Sequence, residues 1–405
     1  MPVVVRLSDI SMQSSIIRYQ EDFLDLCEHI RASGIVAFDT EFVSDSGYRP
    51  ELGLLQFATR ERCVAVDPLD VPSLAAWWDI MADDSTTVVV HGGQAEIRFC
   101  LQQSGRPPQK LVDVQIAEGL RCRSYPLSYS GIVERVLGKR VASNQTRTDW
   151  LRRPLSAEQI EYALEDVSFV LDIWETQSAW LKKKGRLDWA WAEFDRMIND
   201  IQQEERVQPW ERLTGIHKLP RRELAAAQRL AQWREEEAAF RNRPARRILR
   251  DDLLIDLAKR RPKTAQQALA TRDLNRPEYR KRLDDMLAVI EDVNRLSDDQ
   301  LPKRMKNRRE ETSSDDQVIS KLLALALANR CAELEIAQTL VGTNRDLMEL
   351  VRCVRFHEGE VNARLLTGWR GDVCGELLKK VLDGRMSFRV APADSPTPLL
   401  FEDAS

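Results

Sequence analysis

The pattern of the chain changes once, near residue 200, and this change constrains the fold more than any other feature. Before it, short β-branched runs alternate with longer helical patterns, which is the rhythm of an α/β domain. Residues 35–41, 54–59, Cys63–Val66, 87–91 and 111–114 read as strands, the first three spaced closely enough for an antiparallel meander. The later strands need crossovers, one of which is a helix over 94–102. Residues 157–181 read as one long helix behind Pro154, with Ser156 as its cap and Glu158 in its first turn. Beyond residue 205 the β signal is gone. Helical patterns run over Arg221–Phe240, 252–260 and 277–296, the last with Tyr279, Leu283, Met286, Leu287, Ile290 and Val293 on one stripe.

The map that follows is an α/β domain over 1–204, an all-α bundle over 205–298, a polar linker over 299–316, a second all-α bundle over 317–390 and a disordered Pro/Ser-rich tail over 391–405. With 405 residues, 43% of them hydrophobic and 31% charged, the chain has material for real cores. Its longest apolar stretch, 318–328, is interrupted by Lys321 and is far shorter than the roughly 18 residues of a membrane span. No secretory pattern opens the sequence, so the expected compartment is the cytoplasm. The seven cysteines and four histidines are scattered, with no C-x-x-C pair, which argues against a zinc or disulfide framework. Net charge is −4, yet residues 201–310 carry 27 Lys and Arg against 19 Asp and Glu. Arg241, Arg243, Arg246, Arg247 and Arg250 form one dense run, and Lys303, Arg304, Lys306, Arg308 and Arg309 another. Such runs suit a solvated face or a phosphate backbone.

The chemistry lies in carboxylates. In FDTEF, Asp39 and Glu41 are two apart in a strand and share a face. Glu96 opens the helix after the turn Gly92–Gly93, where it can be aimed back at the sheet edge. Tyr162 and Asp166 are four apart on a helix, one above the other. Four carboxylates and a phenol from three elements can converge, and an all-oxygen donor set suits Mg²⁺ or Mn²⁺ better than zinc. Paired ions of this kind serve in-line phosphoryl chemistry. The phenol is too weak a base to act unaided near neutrality, so its expected task is to orient the attacking water. Asp113 reads as a structural residue at a strand end.

The segments FDTEFV…LGLLQFAT, VVVHGGQAEI, LVDVQIA and RTDWLRRPLSAEQIEYALEDV, in this order and spacing, resemble the DEDD 3′-5′ exonucleases of the ribonuclease D type, in the subgroup with tyrosine in the last motif. The resemblance covers about residues 15–200. It implies a ribonuclease H-like mixed sheet flanked by helices, with two divalent metal ions (Mg²⁺ or Mn²⁺) held by Asp39, Glu41, Glu96 and Asp166, and Tyr162 beside them. The implied activity is trimming of RNA 3′ ends, tRNA precursors among them, with release of nucleoside 5′-monophosphates by a monomer with no membrane partner. Tyr48 and Gln56 match the substrate-facing segment, and His91 and Arg247 are further candidate substrate contacts. Residues near 210–290 and 315–390 are similar to the two HRDC helical modules that follow the nuclease in such proteins. Glu96 stands where the family normally has aspartate, and Ser143 where it often has lysine, with Lys139 and Arg140 close by. A 3′-5′ DNA exonuclease and a nucleic-acid-binding protein whose nuclease site has decayed through Glu96 are the alternatives.

Overall fold

The β-branched runs between residues 35 and 114 become strands whose apolar side chains are buried under helices on both faces of the sheet. The computed structural model describes residues 16–141, 148–305, 314–356 and 364–404. Its main sheet contains β1 (Ile16–Ile17), β2 (Ile35–Val43), β3 (Glu51–Ala58), β4 (Cys63–Val66), β5 (Thr87–Val90) and β6 (Leu111–Asp113), in the order β1-β4-β3-β2-β5-β6. The meander β2-β3-β4 is antiparallel as expected, while β5 and β6 add in parallel through helical crossovers. The two-residue β1, which pairs in parallel with β4, is too short to leave a sequence pattern.

Helices α1 (Gln20–Ser33), α2 (Ala75–Met81), α3 (Gln94–Ser104), α4 (Val114–Gly119) and α5 (Tyr129–Leu137) follow in order. α1 and α2 cover one face of the sheet over an aromatic cluster in which the Phe38 and Trp77 ring centres are 4.6 Å apart. The other face of the meander, with Leu54 and Ala65, is covered by α6 (Ala157–Ser168), whose Ser156–Gln159 capping box fixes its start. The single helix expected over 157–181 is in fact two. α6 stops at Phe169 and α7 (Val170–Lys183) begins beyond it, the Tyr129 hydroxyl standing at the break: it donates to Glu165 O (2.8 Å) and accepts from Phe169 N (3.2 Å). Lys139 is engaged over the Phe169 ring, and Ser143 lies outside the described residues.

α8 (Leu187–Arg206) closes the α/β domain. A bundle of α9 (Arg221–Phe240), α10 (Ala245–Ile248), α11 (Asp251–Arg260), α12 (Ala265–Leu269), α13 (Pro277–Arg280) and α14 (Leu283–Arg295) then encloses its own core of Leu224, Leu230, Leu254, Met286 and Ile290. The helix expected over 277–296 is broken between α13 and α14, though its stripe is buried apart from the partly exposed Leu287. Lys306, Arg308 and Arg309 lie outside the described residues.

The second helical unit, α15 (Ser314–Leu334), α16 (Gln338–Val341), α17 (Asn344–Phe356), α18 (Gly368–Arg370) and α19 (Glu376–Leu382), begins three residues earlier than expected and is not a separate bundle in packing terms. Its Leu323, Leu327, Leu340 and Leu347 share one continuous core with the α/β domain. Close approach requires Gly119, where a Cβ would sit 2.5 Å from the Leu340 side chain. The tail expected to be disordered contains a strand: β8 (Leu399–Asp403) pairs antiparallel with β7 (Met386–Val390), and Leu399 N donates to Asn329 Oδ1 (3.0 Å). Pro/Ser composition had masked the LLF run that supplies it. Among the described residues, no helix is long and apolar enough to cross a membrane.

Candidate active site

Asp39 and Glu41 lie on the α6 face of β2, opposite Gln56 and Leu54 of β3. β5 pairs with β2 only as far as Ala37, so the half of β2 that carries the acids has an open edge. Glu96 enters at that edge. It stands in the first turn of α3, is buried (4% exposed), and accepts a 2.6 Å hydrogen bond from Thr40 Oγ1. The turn that aims it is itself fixed. The buried Asp113 carboxylate accepts from Gly92 N (3.0 Å), Gly93 N (3.2 Å) and Gln115 N (2.8 Å), holding the start of α3 and capping α4 with one side chain. Gly92 has φ +69, and a Cβ on Gly93 would sit 2.3 Å from Val90 Cγ2, so both glycines are needed.

From above, α6 brings Tyr162 and Asp166 over the same strand, with the phenol donating toward the Asp166 carboxylate. The Tyr162 ring packs by Trp150, whose segment is locked to the sheet: Arg153 makes a two-pronged pair with Asp67 (2.6 Å each) and donates to Gly53 O (2.8 Å). A Cβ on Gly53 would lie 2.6 Å from Trp150 Cβ, so only glycine lets this wall close.

These acids raise one another's proton affinity. Burial, and then Glu96, Asp166 and Glu41, hold the Asp39 carboxyl well above its ordinary range. Burial with Asp166 and Glu96 pushes Glu41 up to about 8. Glu96 is raised by burial to about 7 although the Thr40 bond opposes it, and Asp166 by burial to about 6 against the Tyr162 bond. Tyr162 is itself raised by burial and by Asp166 and Glu41, so the phenol stays protonated at neutral pH. A cluster of like charges held together in this way is matched in charge and donor type to a hard divalent cation. As the side chains stand, no group of three or more Asp, Glu, His or Cys among the described residues is gathered closely enough to hold a metal ion.

Asp39, Thr40 and Glu96 open into a cavity of about 910 Å³, walled by Tyr48, Arg49, Pro50, His91, Arg98, Glu205, Arg212 and Glu235. Of the residues expected to meet substrate, Tyr48 and His91 line this cavity, His91 Nε2 lying 3.0 Å from Leu127 O. Gln56 does not. It shares the face of Asp39 but is fully buried between Asp39 and Ala65, with neither amide atom hydrogen-bonded, because α6 covers this part of β3. Arg247 is exposed on α10, outside the cavity. Sequence reasoning missed Thr40, whose bond to Glu96 joins positions 56 residues apart, and the wall from the end of α8, which lies between the two domains read separately.

Comparison with known proteins gives a consistent result. The family model described as 3′-5′ exonuclease matches residues 14–177, and that for the HRDC domain matches 223–290. Ribonuclease D of Zymomonas mobilis is 30% identical over 376 residues, covering 90% of this chain and 93% of that protein. Ribonuclease D of Bartonella henselae is 31% identical, covering 89% and 87%. Among solved structures, Escherichia coli RNase D, described as an exoribonuclease involved in structured RNA processing, superimposes with a TM-score of 0.79 at 29% identity over 91% of this chain and 98% of that one.

Proposed function

The chain belongs to the ribonuclease D family, and on that premise we propose a working site for it. It is a 3′-5′ exoribonuclease dependent on divalent metal. We read its substrates as RNA 3′ ends, tRNA precursors included, and its products as nucleoside 5′-monophosphates. The observation that carries the reading is the mutual electrostatic coupling of Asp39, Glu41, Glu96, Asp166 and Tyr162 from β2, α3 and α6, with Asp39 and Glu96 opening into the cavity.

In this reading the four carboxylates would hold two ions, Mg²⁺ or Mn²⁺, which when bound supply charge neutralisation at the phosphate and an acidified water. The rest falls to the chain. Tyr162, kept protonated by its neighbours, donates and accepts without ionising, which suits it to placing the water rather than deprotonating it. Asp113 fixes the turn that aims Glu96, and the Arg153–Asp67 pair holds the wall behind Tyr162. Thr40 occupies one oxygen of Glu96 and leaves the other for a ligand role, which accommodates the longer arm where aspartate is usual. His91 and Tyr48 form the wall against which the terminal nucleotide would rest. All seven cysteines are free thiols, in keeping with a reducing cytoplasm.

The test is purified protein with 3′-unpaired RNA and DNA of the same sequence, in Mg²⁺, Mn²⁺ or EDTA. Stepwise shortening of RNA, lost in EDTA, is the expected result. Tyr162→Phe should lower kcat roughly 10²-fold with KM little changed; equal rates would remove the phenol from the mechanism. A wild type inactive in both metals and revived by Glu96→Asp would show a decayed site instead.

A further inference from the structure

The arginine run of the first helical bundle is not uniform in the folded chain. Arg241 is paired with Glu237, Arg246 with Asp251 and Arg250 with Asp252 and Asp273. Arg243 and Arg247 are exposed, and among the described residues their guanidinium groups have no carboxylate partner. Beside them, at the last residue of α9, Phe240 is 85% exposed, more than any other large apolar side chain described. A fully solvated phenyl ring flanked by two uncompensated cations gains nothing for the fold from this arrangement.

The corner that carries these three residues is fixed to the wall of the catalytic cavity. Asn242, held at φ +47, accepts from Tyr48 N through Oδ1 (3.0 Å) and donates to Glu51 Oε1 through Nδ2 (2.9 Å). About two helical turns back, Glu235 accepts from the Tyr48 hydroxyl. Tyr48, Arg49 and Pro50, in the loop so gripped, line the cavity that contains Asp39 and Glu96. Phe240 is thus two residues from a side chain tethered to the loop that lines the cavity.

We infer that Phe240, Arg243 and Arg247 form a second nucleotide-binding site, which holds an unpaired ribonucleotide upstream of the one being removed. The ring stacks on its base and the two guanidiniums meet the flanking phosphates. Base stacking on an aromatic side chain is tolerant of sequence, and cations at phosphates are blind to it, so the site senses the presence of an unpaired upstream strand rather than its letters. The inference rests on the exoribonuclease reading for its substrate and adds a length requirement: strands that reach the corner bind better than those that end inside the cavity.

The experiment uses the full chain and two RNAs, a dinucleotide and a single-stranded 20-mer, with Phe240→Ala, Phe240→Trp and the double change Arg243→Gln, Arg247→Gln. Binding of the 20-mer is followed by fluorescence anisotropy in EDTA, and turnover of both RNAs in Mg²⁺ or Mn²⁺. Phe240→Ala should weaken 20-mer binding roughly tenfold and raise its KM alike, a loss about tenfold greater than on the dinucleotide, while Phe240→Trp retains wild-type binding. The double change should flatten the salt dependence of 20-mer binding by about 1.4 in log–log slope. Equal 20-mer affinity in wild type and Phe240→Ala overturns the site, as does an equal loss on both RNAs. If the wild type cleaves neither RNA, the exoribonuclease reading falls, and the anisotropy comparison still decides the corner.

Discussion

Two sets of buried carboxylates lie in the same α/β domain and behave in opposite ways. Glu193 on α8 is completely enclosed, and burial alone would raise it, yet its carboxyl titrates below the ordinary range because Arg370, Arg196 and the Trp369 indole surround it at 2.6, 2.9 and 2.9 Å. Around Asp39 only Glu96 is comparably enclosed, and Asp39, Glu41 and Asp166 are half-buried, yet with mainly one another as neighbours all four titrate high. Burial sets the cost in both places, and the partners decide its sign. Glu193 is matched inside the chain and fastens the second helical unit to the α/β domain, whereas among the described residues the β2 cluster has no cationic side chain paired with it.

The largest test of this contrast is removal of one acid from each. Asp39→Ala or Asp166→Ala should reduce RNA hydrolysis by at least roughly 10³-fold while urea midpoints stay the same or rise, since each change relieves repulsion. Full turnover in either variant would remove the residue from the site. Arg370→Ala does the reverse: it leaves Glu193 enclosed without its main partner and should cost about 3–5 kcal/mol of stability by chemical unfolding. A loss under about 1 kcal/mol would mean that water or Arg196 replaces the pair, and that the two sets differ less than the contacts indicate.

A smaller effect concerns pH. Glu41 titrates near 8 in the folded protein and near 4.5 when unfolded, so between these values the unfolded chain has released a proton that the folded one retains. Rising pH therefore favours unfolding across that window. In EDTA, melting temperature should fall from about pH 5 to pH 8, and Glu41→Gln should flatten the fall and raise the value at pH 8 by several degrees. Glu193 has the opposite sign: its stabilisation is complete above its unfolded value and is lost as acid protonates it. Identical pH curves for wild type and Glu41→Gln would show that the repulsion is relaxed by local rearrangement.

The two sets also differ in how much of them the sequence discloses. Asp39 with Glu41, and Tyr162 with Asp166, are legible because strand and helix periodicities place them on shared faces within a few residues. The strands and the meander were legible for the same reason. Glu193 was not, since its partner is 177 residues away and nothing local marks either one. Composition separates the chain into one α/β and two helical parts, but only packing reveals that the second helical part shares the α/β core while the first keeps its own. The break at Phe169 is contacted by a hydroxyl 40 positions earlier. Gln56 was expected at the substrate because its neighbours suggested it; its register does put it on the face of Asp39, but α6 covers it there.

The distribution of the β2 cluster along the chain also governs when the protein becomes able to act. Asp39 and Glu41 are made early, but Asp166, made more than 120 residues later, stands on α6, which packs on β2, β3 and β4. Synthesis therefore releases a long stretch of chain beside the messenger and the ribosome before a competent site exists. No fragment that ends before α6 contains the full set of acids, and a cut anywhere between β2 and α6 that frees either part would dismantle it. On the proposed assignment of these acids, an enzyme born among RNA gains its cutting site only when its first domain is whole.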